Sequence, residues 1–81
     1  MYQIIGETIW VAGVYKSSQF IPKKFKWRDK ELPISTITLI SDAKDGAIKK
    51  RFYSVVSGNE VYRLEFNRES EQWYLQELWV E

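Results

Sequence analysis

The chain predicts an all-β domain, a small antiparallel meander of six strands forming a curled or barrel-like sheet. Three observations carry this. Apolar and polar residues alternate with period two in several segments of the 81-residue chain. No segment shows a 3.6-residue period bounded by a cap and a stop. The last third reads as strands joined by two turns: Arg51–Val56 runs into Ser57-Gly58-Asn59, Glu60–Phe66 follows, and Asn67–Gln72 leads into Trp73–Val80. Gly58-Asn59 can take the positive φ angles that a two-residue hairpin needs. A small sheet with aromatics on both faces hides its edges by curling.

Each element follows in order. Thr8–Tyr15 is the first strand, with Ile9, Val11 and Tyr15 on one face and Trp10, Ala12 and Val14 on the other. Both faces are apolar, so cover on both sides is expected. Met1–Gly6 either extends this strand or lies loose, and Lys16-Ser17-Ser18 turns the chain. Lys24–Arg28 is the second strand, with Pro22 just ahead of it, where a missing N–H does least harm. Asp29-Lys30-Glu31 connects to a third strand near Ile34–Ser41, whose Ile and Thr residues favour pleated structure. Asp42–Gly46 is a polar break. Ile48–Val56, Glu60–Phe66 and Trp73–Val80 complete the set. Period two along the last strand places Trp73, Leu75 and Trp79 on one face and Tyr74, Leu78 and Val80 on the other. Asn67–Gln72 reads as a polar hairpin loop. The expected core contains Phe25, Trp27, Leu39, Leu64, Phe66, Trp73 and Leu75.

Composition narrows the function. One domain is expected at this length. The 16% aromatic content supplies large buried rings, and 44% hydrophobic content is that of a globular protein. The chain has no histidine and no cysteine. The commonest general base, the usual metal ligands and all thiol chemistry are therefore missing. The four glycines form no phosphate loop, and the carboxylates lack the spacing of a calcium loop. No catalytic residue, metal or cofactor is expected, and the chain reads as a binding module rather than an enzyme. No signal-peptide pattern is visible, and no apolar run approaches the ~20 residues of a membrane span. A soluble, cytoplasmic protein with no membrane partner is expected.

Charge is unevenly spread. Residues 1–53 carry ten Lys or Arg against five Asp or Glu, whereas residues 54–81 carry two against six. Within the basic part, Phe20-Ile21-Pro22-Lys23-Lys24-Phe25-Lys26-Trp27-Arg28 interleaves cations with rings. On a strand, Lys24, Lys26 and Arg28 share one surface while Phe25 and Trp27 share the other. Lys23, Lys24, Lys26 and Arg28 are therefore candidate nucleic-acid ligands, with Lys49, Lys50 and Arg51 as a second row. Exposed rings such as Tyr53 or Phe20 would stack on unpaired bases. Opposed readings exist: lysines on an outer strand block edge-to-edge aggregation, and opposite charges pair across neighbouring strands. A protein partner or self-association through the Trp73–Trp79 strand is the alternative function. The direction of the tryptophans separates the two. Buried rings beside a continuous cationic surface favour nucleic acid; an exposed aromatic face with scattered lysines favours a polypeptide.

Phe25-Lys26-Trp27-Arg28, Tyr62-Arg63-Leu64-Glu65-Phe66 and Trp73-Tyr74-Leu75 followed by Trp79 give the span Pro22–Glu81 a likeness to known proteins. It resembles a family of small bacterial β domains of unknown function, in which Phe-x-Trp-Arg, Tyr-x-Leu and Trp-x-Leu strands recur. Some members are linked with Y-family translesion DNA polymerases. The resemblance implies an antiparallel β module and a DNA-repair setting, and brings no activity with it. The chain departs from that pattern at Phe52-Tyr53, where Trp-Arg is expected, and at Glu81, where Asp is expected.

Overall fold

Four two-residue turns, an Ile34-Ser35 corner and one longer loop fold the chain into seven strands. They are β1 (Tyr2–Lys16), β2 (Gln19–Trp27), β3 (Lys30–Pro33), β4 (Thr36–Asp45), β5 (Ile48–Ser57), β6 (Glu60–Asn67) and β7 (Gln72–Val80). This computed structural model describes residues 1–80; Glu81 lies outside them. All neighbours are antiparallel, in the sheet order β3-β2-β1-β7-β6-β5-β4. The all-β class and the antiparallel sheet are as expected, with seven strands in place of six.

The turns show how local chemistry sets the hairpins. Ser17 and Ser18 both have positive φ, as do Arg28 and Asp29. Both pairs therefore make the type I′ turns whose twist suits flanking strands. At Gly46-Ala47 and Gly58-Asn59 only the glycine has positive φ, which is the type II′ arrangement. Asn67 organises the longer loop: its Oδ1 accepts hydrogen bonds from the Glu69 and Ser70 N–H groups, at 3.0 and 3.1 Å.

The seventh strand comes from the segment expected to be a connector. Lys30–Pro33 pairs with β2, placing Trp27 opposite Lys30 and Lys24 opposite Pro33. The chain then changes partner. Ile34 N–H donates to the Lys23 carbonyl of β2 (2.8 Å), and Ser35 N–H donates to the Val56 carbonyl of β5 (2.9 Å). The sheet does not close into a barrel, but this corner ties its two edges together. Pro22 lies inside β2 rather than before it, opposite Gly13 at an irregularity of the β1–β2 ladder. A Cβ on Gly13 would collide with the Ile21 carbonyl oxygen and Phe20, so the close approach requires glycine. Met1–Gly6 extends the first strand from Tyr2 onward, and the polar Asp42–Asp45 segment continues β4 up to the Gly46 turn.

Bulges decide which side chains face the core. Between Arg63 and Leu64 the β6–β7 ladder shifts: Leu64 faces Leu75, but Arg63 faces Glu77. Gln76 is the extra residue, and it reverses the parity of everything after it. Trp73, Leu75, Leu78 and Val80 turn inward while Trp79 turns outward, which corrects the face assignment read from period two. Thr38 acts likewise in β4. Ile37 faces the buried Val55, but Leu39 faces Ser54 and is 58% exposed, so Leu39 is not core. Phe25, Tyr53, Val55, Tyr62, Leu64 and Leu75 form the buried centre, with Trp27, Phe66 and Trp73 packed partly buried against it. Phe25 meets Tyr62 edge-on at 5.0 Å, and Trp73 lies 4.8 Å from Phe66 and 5.3 Å from Tyr53. Such ring pairs add about 0.5–1.5 kcal/mol each beyond their buried area.

Candidate functional site

Three surfaces result from this register. The first is the basic strand. Lys24 and Lys26 are exposed on β2; Lys26 faces Trp10 of β1 on one side and Glu31 of β3 on the other. Lys24 Nζ lies 3.4 Å from Glu31 Oε1. Lys23 is exposed at the corner. Arg28 leaves this row because it belongs to the β2–β3 turn. Its guanidinium donates to Glu7 from Nη2 (2.6 Å) and Nε (3.2 Å) and stacks over Trp27 at 4.7 Å. Trp27 Nε1–H donates to the same carboxylate at 2.9 Å. Arg28, and then Trp27, hold the Glu7 carboxyl below its usual range.

The second basic row is mostly neutralised. Arg51 Nε is 2.7 Å from Asp42 Oδ1. Lys50 Nζ is 3.4 Å from Asp45 and 3.5 Å from Glu65, and the Glu65 charge is the main cause that raises the Lys50 pKa. Glu65 is itself buried and accepts a hydrogen bond from Gln76 Nε2 at 2.9 Å. Lys49 alone of the three forms no ion pair among the described residues. In the sheet, β2 and β5 are separated by β1, β7 and β6, so Lys23–Arg28 and Lys49–Arg51 do not join into one row.

The second surface is apolar and lies on the outside of β1, β7 and β6. Tyr2 faces Trp79, which faces Val61. Tyr2 is 49% exposed, Trp79 51% and Ile4 79%. The Tyr2 and Trp79 rings are tilted together at 6.1 Å. Within this face Arg63 lies directly opposite Glu77, yet the two form no salt bridge. Arg63 instead covers the Phe52 ring at 4.5 Å. The neighbouring Glu77 carboxylate is the largest cause raising the Tyr2 phenol pKa.

The third surface is a cleft of about 390 Å³ between the β1–β2 hairpin and the β6–β7 loop. Tyr15, Phe20, Tyr53, Phe66 and Trp73 wall it, with Arg68 and Glu71 also lining it. Phe20 lies 5.3 Å from Tyr15 and 5.6 Å from Trp73. Tyr53 is fully buried and donates its O–H to the Phe20 carbonyl at 3.2 Å, which braces the wall. Arg68 also borders a neighbouring shelf that carries Lys44 and Lys49. The sequence marked Lys49, which is exposed, and Tyr53 and Phe20 as exposed rings, but Tyr53 is buried and Phe20 half-buried, and the cleft they help wall was not expected. Its rings come from β1, β2, β5, β6 and β7, and only the sheet order brings them together.

Among the described residues no group of three or more Asp or Glu side chains comes together to hold a metal ion, and no helix is long and apolar enough to cross a membrane. No family model matches the chain, and no curated protein or solved structure is significantly similar to it. The likeness to small bacterial β domains therefore rests on the sequence motifs alone.

Proposed function

We propose that the protein is a non-enzymatic interaction module that docks a polypeptide, in the first place a second copy of itself, on the outer face of β1, β7 and β6. The exposed group Tyr2, Ile4, Val61 and Trp79 carries this reading. Large apolar side chains clustered in water are what a docking surface requires. Of the two basic rows, in contrast, Lys24, Arg28, Lys50 and Arg51 are held by carboxylates. A second copy suits the face because one cation and one anion lie side by side in it. A two-fold axis between them would set Arg63 of one copy against Glu77 of the other. Sedimentation velocity over a concentration series tests this, with wild type and an Ile4→Glu, Trp79→Glu double variant. Association by the wild type, lost in a variant that still melts cooperatively, is expected. A wild type that stays monomeric at high concentration, or equal association by the variant, overturns it.

A second reading rests on one observation. Lys26 is exposed directly opposite Trp10, itself 54% exposed, so a cation and a free ring are neighbours on the outer face. This arrangement serves a nucleic-acid strand, with a phosphate on Lys24 or Lys26 and a base on the ring. Oligonucleotide titration at two salt concentrations, with a Lys24→Glu, Lys26→Glu variant, tests it. Each lost phosphate contact should lower the salt slope by ~0.7–0.9.

A further inference from the structure

The cleft and the shelf beside it make a site that neither reading uses. Lys44 of β4 and Lys49 of β5 are directly opposed in the ladder. Like charges at such positions oppose folding. Neither lysine forms an ion pair among the described residues, and neither does Arg68, which borders both the shelf and the cleft. The nearest strong cation-binding groups are already used: Asp42 by Arg51, Asp45 and Glu65 by Lys50. Three cations without an ion pair among the described residues thus line the shelf, beside the Asp42 carboxylate that Arg51 holds, and Arg68 links the shelf to the ring-walled cleft. An anion lying on the shelf would offset the repulsion between Lys44 and Lys49.

The cleft itself asks for a flat ring. Tyr15, Phe20, Phe66 and Trp73 offer aromatic faces and edges, and the volume is that of a small-ligand pocket. Glu71 lines the same cleft, forms no ion pair among the described residues, and is held at a φ of 60°, an uncommon conformation for a residue with a side chain. Its carboxylate accepts hydrogen bonds only, so N–H or O–H donors on a ligand ring would suit it. A ring with donors joined to an anion describes a nucleotide unit.

We propose that the aromatic cleft binds a nucleobase, with its sugar or amino donors toward Glu71 and its phosphate over Arg68, Lys44 and Lys49. The base gains stacking on the cleft rings. The phosphate gains charge-assisted hydrogen bonds, of which the Arg68 contact is the most directional. The unit has two sources, a free nucleotide or a nucleotide of a single strand, and both offer the same chemistry.

The test uses the full chain and the quenching of tryptophan fluorescence, because Trp73 lines the cleft. The probes are the four common nucleoside monophosphates at up to millimolar concentration and a short single-stranded oligonucleotide, each at low and moderate salt. Three variants are compared with wild type: Lys44→Glu with Lys49→Gln, Arg68→Gln, and Tyr15→Ala. All four residues are exposed, so the variants should fold. Saturable quenching by mononucleotides identifies a free nucleotide as the ligand; quenching by the oligonucleotide alone identifies a single strand. In either case Lys44→Glu with Lys49→Gln should weaken binding by about tenfold or more, and Arg68→Gln by a similar factor. The first of these variants should also melt no lower than wild type, because it removes the like-charge pair. That combination, weaker binding at equal or greater stability, separates a ligand site from a structural role. Absence of saturable quenching by every probe at low salt, or binding unchanged in both cationic variants, overturns the proposal.

Discussion

Trp73 and Trp79 stand on the same strand, six positions apart, and do opposite things. An even spacing on a regular strand puts two side chains on one face. Here Trp73 packs against Phe20, Tyr53 and Phe66, while Trp79 lies outside against Tyr2. The difference is the single extra residue Gln76. One tryptophan is held by the core and the other is offered to solvent, so loss of each should be felt in a different measurement.

The largest expected effect is at the inner ring. Trp73→Ala should cost ~3–5 kcal/mol, which a marginally stable domain of this size barely survives. Chemical denaturation measures it, and a loss within ~0.5 kcal/mol would mean the ring is not held. The inner face also contains Tyr62, whose phenol is raised to about 12, chiefly by burial and then by the hydrogen bond it donates to Glu60. Its folded pKa lies above the unfolded value of 10.0. The contribution of the neutral phenol is therefore complete below pH 10 and is lost as pH rises toward about 12. A two-unit difference corresponds to roughly 2–3 kcal/mol. Alkaline unfolding followed by tyrosinate absorbance should show a larger loss in wild type than in Tyr62→Phe, in which the buried Tyr53 still contributes.

Outer positions should respond far less. Trp79→Ala and Leu39→Ala should each change stability by roughly 0.5–1 kcal/mol or less, the range of surface substitutions. Denaturation of Leu39→Ala sharpens the comparison with Ile37→Ala, two positions earlier but across the Thr38 bulge, which should cost more. The smallest effect concerns Glu7. Arg28, and then Trp27, lower its carboxyl pKa from 4.5, so its contribution is present above pH 4.5 and is lost as pH falls through the depressed folded value. The difference in melting temperature between wild type and Glu7→Gln should shrink below that pH and persist above it.

These contrasts show what could be read from the sequence. Strand identity was legible because period two and the turn residues act locally, as at Gly58 and at Ser17-Ser18. Phe25, Leu64 and Leu75 were legible as core for the same reason. Faces beyond a bulge were not, because Gln76 and Thr38 carry no local mark of the extra residue, and the error passes to Trp79 and Leu39. The short strand β3 was hidden by its polar residues, Lys30 and Glu31, which suit an outer edge as well as a loop. Of the basic runs, the sequence showed the cations but not their partners. Glu7 holds Arg28 across 21 positions, and Glu65 reaches Lys50 from the next strand. Lys44 opposite Lys49 became meaningful only with the β4–β5 register.

The place of β1 in the sheet has a kinetic consequence. β1–β2, β2–β3, β4–β5, β5–β6 and β6–β7 each join strands that follow one another in the chain, so they can form as hairpins without waiting for distant segments. The β1–β7 ladder alone brings Tyr2 to Trp79, the two ends of the described chain. Its formation must close a loop of nearly the whole polypeptide, and the entropy of that closure falls on a single event. Nucleation should therefore lie among the β5–β6–β7 hairpins, with the Tyr2–Trp79 contact appearing on the downhill side of the barrier. Substitutions at Tyr2 should then speed unfolding and leave the folding rate nearly unchanged, whereas Leu64→Ala should slow folding itself.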